Sequence, residues 1–238
     1  MIEHDQVNHL QFYEYIDYLY NQDKKFGYYG YYIQNRLIAI QYFSPLNSGF
    51  TMINHQYTPL LKEELLKSSS TYIYGPADVL SKFDLHPDRR SYLYQFGYLN
   101  NRKCIKKDTR IPVSQASFKD ITGITEFYHD KEIMIEIPER LPNLIKNGSI
   151  FIVKVEGRIQ SIALAHSETA DYALIGGVYT SNEARGKGYA FACYQALAGH
   201  LFDHHKTPYL FYDSTLPHLD KFYRDLGFAF TEHYLLLY

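Results

Sequence analysis

The sequence predicts a layered α/β protein (α+β) of two domains. Three observations carry the prediction: 238 residues with 46% hydrophobic content, strand and helix patterning that alternates through both halves, and a polar basic stretch between them. A chain of this length buries one large core or two modest ones, and the boundary favours two.

The elements follow in order. Leu10, Tyr13, Ile16 and Tyr20 recur at near-helical spacing, so a helix is expected over Leu10 to Tyr20. Tyr28 to Tyr32, a turn at Gln34-Asn35-Arg36 and Leu37 to Phe43 read as a β-hairpin. A helix over Leu60 to Lys67 precedes a short strand, Thr71 to Tyr74, closed by Gly75-Pro76. Ala77 to Phe83 reads as another short helix and Ser91 to Leu99 as another strand. The stretch Asn100 to Arg110 carries five basic side chains and reads as an exposed linker, with a contact to a phosphate-bearing ligand as the alternative.

The second half has clearer punctuation. After a short strand near Ile111 to Val113, Ser117 and Asp120 stand three apart as a capping box. Ile121, Ile124, Phe127 and Tyr128 form the apolar stripe of the helix behind it. Ile150 to Val155, the turn Glu156-Gly157-Arg158 and Ile159 to His166 make a hairpin, and Tyr172 to Tyr179 a further strand. From Gly188, Tyr189, Cys193, Ala196, Leu197 and Leu201 keep helical spacing. Thr207 to Tyr212 is a strand, and a helix through Leu216, Leu219, Phe222, Tyr223 and Leu226 has Pro217 in its first turn and Gly227 at its stop. One or two strands from Ala229 to Tyr238 close the domain.

Composition narrows the function. With 24 basic and 26 acidic residues the formal charge is −2, so no global field draws the protein to nucleic acid or anionic lipid. Cys104 and Cys193 form no metal-ligand spacing and no disulfide framework. The N-terminus lacks the basic and apolar regions of a signal peptide, and no stretch reaches the ~20 apolar residues of a membrane span. These features predict a cytoplasmic protein. The 25 tyrosines, densest at Tyr28 to Tyr32, fit ordinary strands better than an aromatic-lined pocket. His200 and His204 share a helix face beside Asp203 and His205, yet no further ligand completes a metal site, so none is expected. Cys193 falls on a buried stripe and reads as a small core residue.

The chemistry concentrates where a strand ending at Val178-Tyr179-Thr180 runs into Arg185-Gly186-Lys187-Gly188-Tyr189-Ala190 and then a helix. Glycines let the backbone approach a ligand, and the loop's N–H groups join the unsatisfied N–H groups of the helix start. Such a device holds a pyrophosphate, with Arg185 and Lys187 supplying charge. It has neither the Lys-Ser/Thr of a Walker loop nor the dinucleotide pattern.

This segment resembles the Arg/Gln-x-x-Gly-x-Gly/Ala signature of the GNAT acetyltransferase superfamily, through Arg185, Gly188 and Ala190. Phe222 to Phe228 resembles the family's Tyr-x-x-x-Gly-Phe element. The run Gly177 to Ala190, with Leu210 to Asp213 after it, is similar to bacterial tandem GNAT proteins in which a degenerate half precedes the active one. The resemblance implies two GNAT-like domains, each a mixed, mostly antiparallel sheet flanked by helices: a degenerate one over 1–100, a linker over 101–110 and an acetyltransferase domain over 111–238.

It further implies acetyl-CoA as co-substrate and direct transfer to an amine. The cofactor would lie on Gly177, Val178, Tyr179 and Thr180 of the strand and on Arg185, Gly186, Lys187, Gly188, Tyr189 and Ala190 of the loop. The Val178 N–H would polarise the thioester carbonyl and Tyr223 would protonate the departing thiolate. Glu168, Asp171 and Asp213 are candidate bases, each also fitting a surface or capping role, and a water chain would serve instead. Where many members carry an Asn seven residues before the tyrosine, Leu216 stands here. A small-molecule or peptide amine is the expected acceptor, with homodimer formation open and neither nucleic acid nor membrane as partner. The rival functions are a non-catalytic acyl-CoA sensor and a Fem-type aminoacyl transferase fed by aminoacyl-tRNA.

Overall fold

A computed structural model describes residues 27–43, 47–59, 62, 72–83, 91–99, 101–105, 110–129 and 137–237. The helix expected over Leu10 to Tyr20, and all but Leu60 to Lys67's residue 62, lie outside the described residues. The remainder forms two compact units, one from 1–96 with 211–220 and 230–238, the other from 97–210 with 221–229. The sequence reading has contiguous domains. The structure assigns two C-terminal segments to the first unit.

In the first unit the strands are β1 (Gly27–Ile33), β2 (Arg36–Phe43), β3 (Asn47–Met52), β4 (Tyr72–Pro76), β5 (Ser91–Tyr98) and the C-terminal β11 (Ala229–Leu237), with α1 (Ala77–Leu80) after β4. They run in the order β1-β2-β3-β4-β11-β5. Gln34 and Asn35 take φ of 48° and 60°, the left-handed pair that a two-residue hairpin turn requires, so the expected hairpin forms. The tyrosine cluster is its first strand: Tyr29 and Tyr32 are exposed, while Tyr31 donates to Gln41 Oε1 at 2.5 Å. The sequence reading has no element between Phe43 and Leu60, and Asn47–Met52 is a strand. Antiparallel pairing with β2 and parallel pairing with β4 make it one. β11 pairs antiparallel with β4 from Tyr234 to Leu237, which is how the chain's end joins this unit. Its core gathers Phe50, Ile73, Val79, Leu80 and Phe83, and Gly75 is glycine because a Cβ there would sit 2.7 Å from the Phe50 ring.

In the second unit β6 (Val113–Gln115), β7 (Ile150–Val155), β8 (Arg158–Glu168) and β9 (Tyr172–Thr180) are joined antiparallel, and the start of β10 (Thr207–Asp213) adds to β9 in parallel. One face carries α2 (Ile121–Tyr128) and α3 (Ile137–Lys146), whose Ile124, Tyr128, Leu141, Leu144 and Ile145 pack on Ile150, Ile152, Ile162 and Leu164. The other carries α4 (Tyr189–Asp203), which presents buried Cys193, Leu197, Ala198 and Leu201 to β7, β8 and β9. The capping box forms as expected: the Ser117 N–H and Oγ–H both donate to Asp120 Oδ2 at 2.8 Å. The sequence reading has no helix over 137–146, a segment that holds two prolines. Pro138 falls in the first turn, where no intrahelical N–H partner is needed, and burial of Leu141, Leu144 and Ile145 outweighs the bond lost at Pro142. α5 (Pro217–Asp225) ends at Gly227, φ 94°, as its sequence predicts. No helix among the described residues is long and apolar enough to cross a membrane.

Candidate active site

The site begins with a disturbance in β9. Its ladder with β8 runs from Ile162↔Tyr179 to Leu164↔Gly176, so Gly177 and Val178 together face the single residue Ala163. That is a β-bulge, and Gly177 supports it with φ 56°, a conformation costly to residues with a Cβ. On the other edge the parallel pairs with β10 stop at Tyr209↔Leu174, so β9 runs on through the bulge to Thr180 beyond the last of them.

The Gly177–Val178 peptide is held in place. Tyr128, buried on α2, donates its O–H to Gly177 O. In a trans peptide the C=O and N–H point opposite ways, so fixing Gly177 O also fixes the direction of the Val178 N–H. Burial, with a smaller contribution from Cys193, pushes the Tyr128 pKa far up, so the phenol keeps its proton.

Past Thr180 the chain makes a 3₁₀ turn, Asn182–Ala184, and enters the loop. Gly186 and Gly188 have φ of 76° and 80°, and Gly188 is the N-cap of α4. The first intrahelical bond, Ala192 N–H to Gly188 O at 3.0 Å, leaves the preceding N–H groups of the helix start outside the ladder. A Cβ on Gly186 would meet nothing within 4 Å, so the loop is open on that side. Arg185 reaches back along the strand, its Cζ 5.6 Å from the Tyr179 ring centroid and its Nε 3.5 Å from Thr180 O. Open left-handed glycines, a 15-residue helix start and two exposed cations, Arg185 and Lys187, fit a pyrophosphate.

Tyr223 lies in the second unit on α5, 9% exposed. Its ring packs edge-on to Tyr194, Phe222 and Phe228. The Gly-Phe that ends the helix accounts for part of this: Phe228 N–H donates back to Tyr223 O at 3.1 Å, and the Phe228 ring then covers Tyr223 and Tyr194. Burial pushes the Tyr223 pKa up to about 12, so its O–H is retained through neutral pH. Leu216 is exposed at the foot of α5.

Of the three carboxylates singled out in the sequence, Glu168 and Asp213 have side-chain partners. Glu168 accepts from Ser149 Oγ and, at 2.7 Å, from Lys206 Nζ. Asp213 accepts from the N–H and hydroxyl of Thr215 at 2.9 and 2.6 Å. Asp171 is exposed, its carbonyl taken by Thr207 N–H at 2.7 Å. His200 and His204 stack at 4.2 Å, His204 Nδ1 lies 2.8 Å from His200 O, and Asp203 pairs with Arg102 at 2.5 Å. Cys193 is fully buried 3.6 Å from Ser161 O, and burial pushes its thiol up to about 12.

Sequence reasoning missed Tyr128 as more than core, and missed His166 and Arg140. β8 has its own bulge, Ala165↔Ile175 being followed by Ser167↔Leu174, and His166 is the extra residue. Arg140 of α3 donates to His166 O. The His166 ring lies over Gly176, where a Cβ would come within 2.6 Å of Cδ2 and 2.9 Å of Nε2. The only sequence signal was the Gly176-Gly177 pair inside an otherwise regular strand.

Comparison with known proteins bears on the family and the fold. Residues 117–228 match the model of the acetyltransferase (GNAT) family. A solved acetyltransferase of the GNAT family from Colwellia psychrerythraea aligns with a TM-score of 0.60 at 15% identity, over 88% of this chain and 84% of that one. A tandem GNAT protein from the clavulanic acid biosynthesis pathway aligns with a TM-score of 0.55 at 10% identity, over 94% of this chain and 86% of that one. At these identities the likeness is one of fold. No curated protein matches the chain.

Proposed function

We propose, from the premise that residues 117–228 are a GNAT acetyltransferase domain, that the chain moves an acetyl group from acetyl-CoA to a primary amine by direct attack. The observation that carries this reading is the bulged Gly177–Val178 peptide, fixed by Tyr128 and lying in the strand that leads to the glycine loop of α4.

In this reading the backbone of Gly177, Val178, Tyr179 and Thr180 lies along the pantetheine. The loop from Arg185 through Gly186, Lys187, Gly188 and Tyr189 to Ala190 takes the pyrophosphate. The Val178 N–H meets negative charge on the thioester oxygen as the amine attacks, and the Tyr223 O–H donates toward the sulfur as the C–S bond breaks. The acceptor is a small-molecule or peptide amine. The first unit, with its own layer of strands, is a second GNAT-like domain whose sequence carries no visible acyl-CoA signature, in keeping with the tandem protein's alignment over 94% of this chain.

Saturating acetyl-CoA should raise the unfolding temperature, since a ligand bound at 100 times its Kd adds about 2.7 kcal/mol to the native state. Free CoA should then appear with at least one member of an amine panel. Absence of any thermal shift sinks the cofactor assignment. A shift with no turnover on any amine points to a sensor.

A further inference from the structure

We propose that His166 is the general base that takes the proton from the acceptor's ammonium group, an assignment that rests on the acetyl-transfer reading above. Three features of the fold put the imidazole over Gly176, beside the bulged Gly177–Val178 peptide. The bulge in β8 inserts His166 opposite the strand that carries Gly177 and Val178. Gly176 lacks the Cβ that would displace the ring, so Nε2 comes within 2.9 Å of where that atom would be, one residue before the bulged peptide. Arg140 fixes the His166 carbonyl, and with it the backbone of the bulge.

Burial first, and the Arg140 charge second, push the ring down to about 4, so at physiological pH its lone pair is free, while the same two causes disfavour the imidazolium and require the ring to pass on any proton it takes. Arg140, from α3, is a charged group that bears on the ring. Glu168, on the same strand, is held by Lys206 and Ser149, and Tyr128 of α2 keeps its proton. Of the carboxylates that could compete for the role, Glu168 and Asp213 are held by Lys206 and Thr215.

The step balances. Nε2 takes a proton from R–NH₃⁺ and becomes imidazolium. The freed lone pair forms the N–C bond to the thioester carbon, whose oxygen gains the charge that the Val178 N–H meets. The C–S bond breaks, Tyr223 gives the sulfur its proton and regains one from the second N–H proton that the nitrogen sheds, and Nε2 passes its own on to water, so one amide, one thiol and one proton are the products.

The test compares the wild-type protein with His166→Gln on the amine that the wild type acetylates. Calorimetric binding of acetyl-CoA should stay within about twofold, while kcat/KM at pH 7 falls about 100-fold, the usual size of a general-base contribution. The deficit should shrink toward the amine's own pKa, where solution supplies neutral amine, and added imidazole should restore part of the rate to His166→Ala. Gly176→Ala, which keeps the histidine but pushes its ring aside, should show the same acid-side deficit even if the Gln variant folds poorly. A His166→Gln enzyme within threefold of wild type at pH 7, with acetyl-CoA bound normally, overturns the base assignment alone. A wild-type protein that does not bind acetyl-CoA overturns the acetyl-transfer reading, and the role of His166 with it.

Discussion

Tyr128→Phe isolates the brace on the Gly177–Val178 peptide, because it removes one oxygen and leaves the ring in the core. The lost bond is phenol to main-chain carbonyl, on the buried side of the sheet under α2. A hydrogen bond of this kind is worth about 0.5–1.5 kcal/mol net, and an acceptor left unsatisfied in a buried place costs about 1–3 kcal/mol, so unfolding free energy should fall by about 1–2 kcal/mol. The effect on rate follows from geometry. On the proposed reading the Val178 N–H is the oxyanion donor. Deleting such a donor outright costs about 10²–10³ in kcat, but Tyr128→Phe leaves it in place and frees only its aim, so the loss should be smaller, about tenfold or ~1.4 kcal/mol. Denaturant melts give the first quantity, and CoA release at saturating acetyl-CoA gives the second. If stability drops by the expected amount while kcat stays within twofold of wild type, the brace is structural only and the argument from peptide direction is wrong.

Other predictions test separate links. Gly188→Ala places a Cβ on a residue at φ 80°, with Ile111 Cδ1 at 3.4 Å, so about 1–2 kcal/mol of stability should be lost on melting and acetyl-CoA affinity should fall as the loop shifts. Tyr194→Phe removes a buried hydroxyl that finds no hydrogen-bond partner among the described residues, and should leave stability unchanged or raise it by up to about 1 kcal/mol, measured by urea unfolding; a loss above that would reveal a hidden partner. Asp120→Ala should cost about 1 kcal/mol through the capping box on the 3₁₀ turn Phe118–Asp120 that leads into α2. For Asp120 itself burial raises the pKa, but the hydrogen bonds from Lys154 and Ser117 outweigh it and hold the pKa below 3.8. A depressed carboxylate contributes fully above its unfolded value and loses the contribution as pH falls through the folded one, so the gap between wild type and Asp120→Ala in acid melts should close below about pH 3.8, and a gap independent of pH would refute the assignment.

The loop was legible because its signal is local. Gly186, Gly188 and the apolar stripe of α4 fix a left-handed turn and a helix start within a few residues of one another. The chemistry around it was less so. Tyr128 reads as one more stripe residue, and its bond to Gly177 spans 49 positions of sequence. His166 reads as the end of a strand, since nothing in the alternation of β8 marks it as the residue left over when the ladder slips.

The sequence by itself determined what short-range sterics control: the hairpin turns at Gln34-Asn35 and Glu156-Gly157, the capping box at Ser117, the glycine stop of α5 and the glycine loop of α4. Tertiary structure decided what depends on a distant partner. Asn47–Met52 became a strand because β2 and β4 flank it, and Ile137–Lys146 stayed helical through Pro142 because its apolar face is buried. β11 joined the first unit by pairing with β4, and the register between β8 and β9 set both bulges. Backbone torsions are chosen residue by residue, whereas pairing and burial depend on which segments meet, so the site's loop was written locally and its braced peptide and histidine were placed by the sheet.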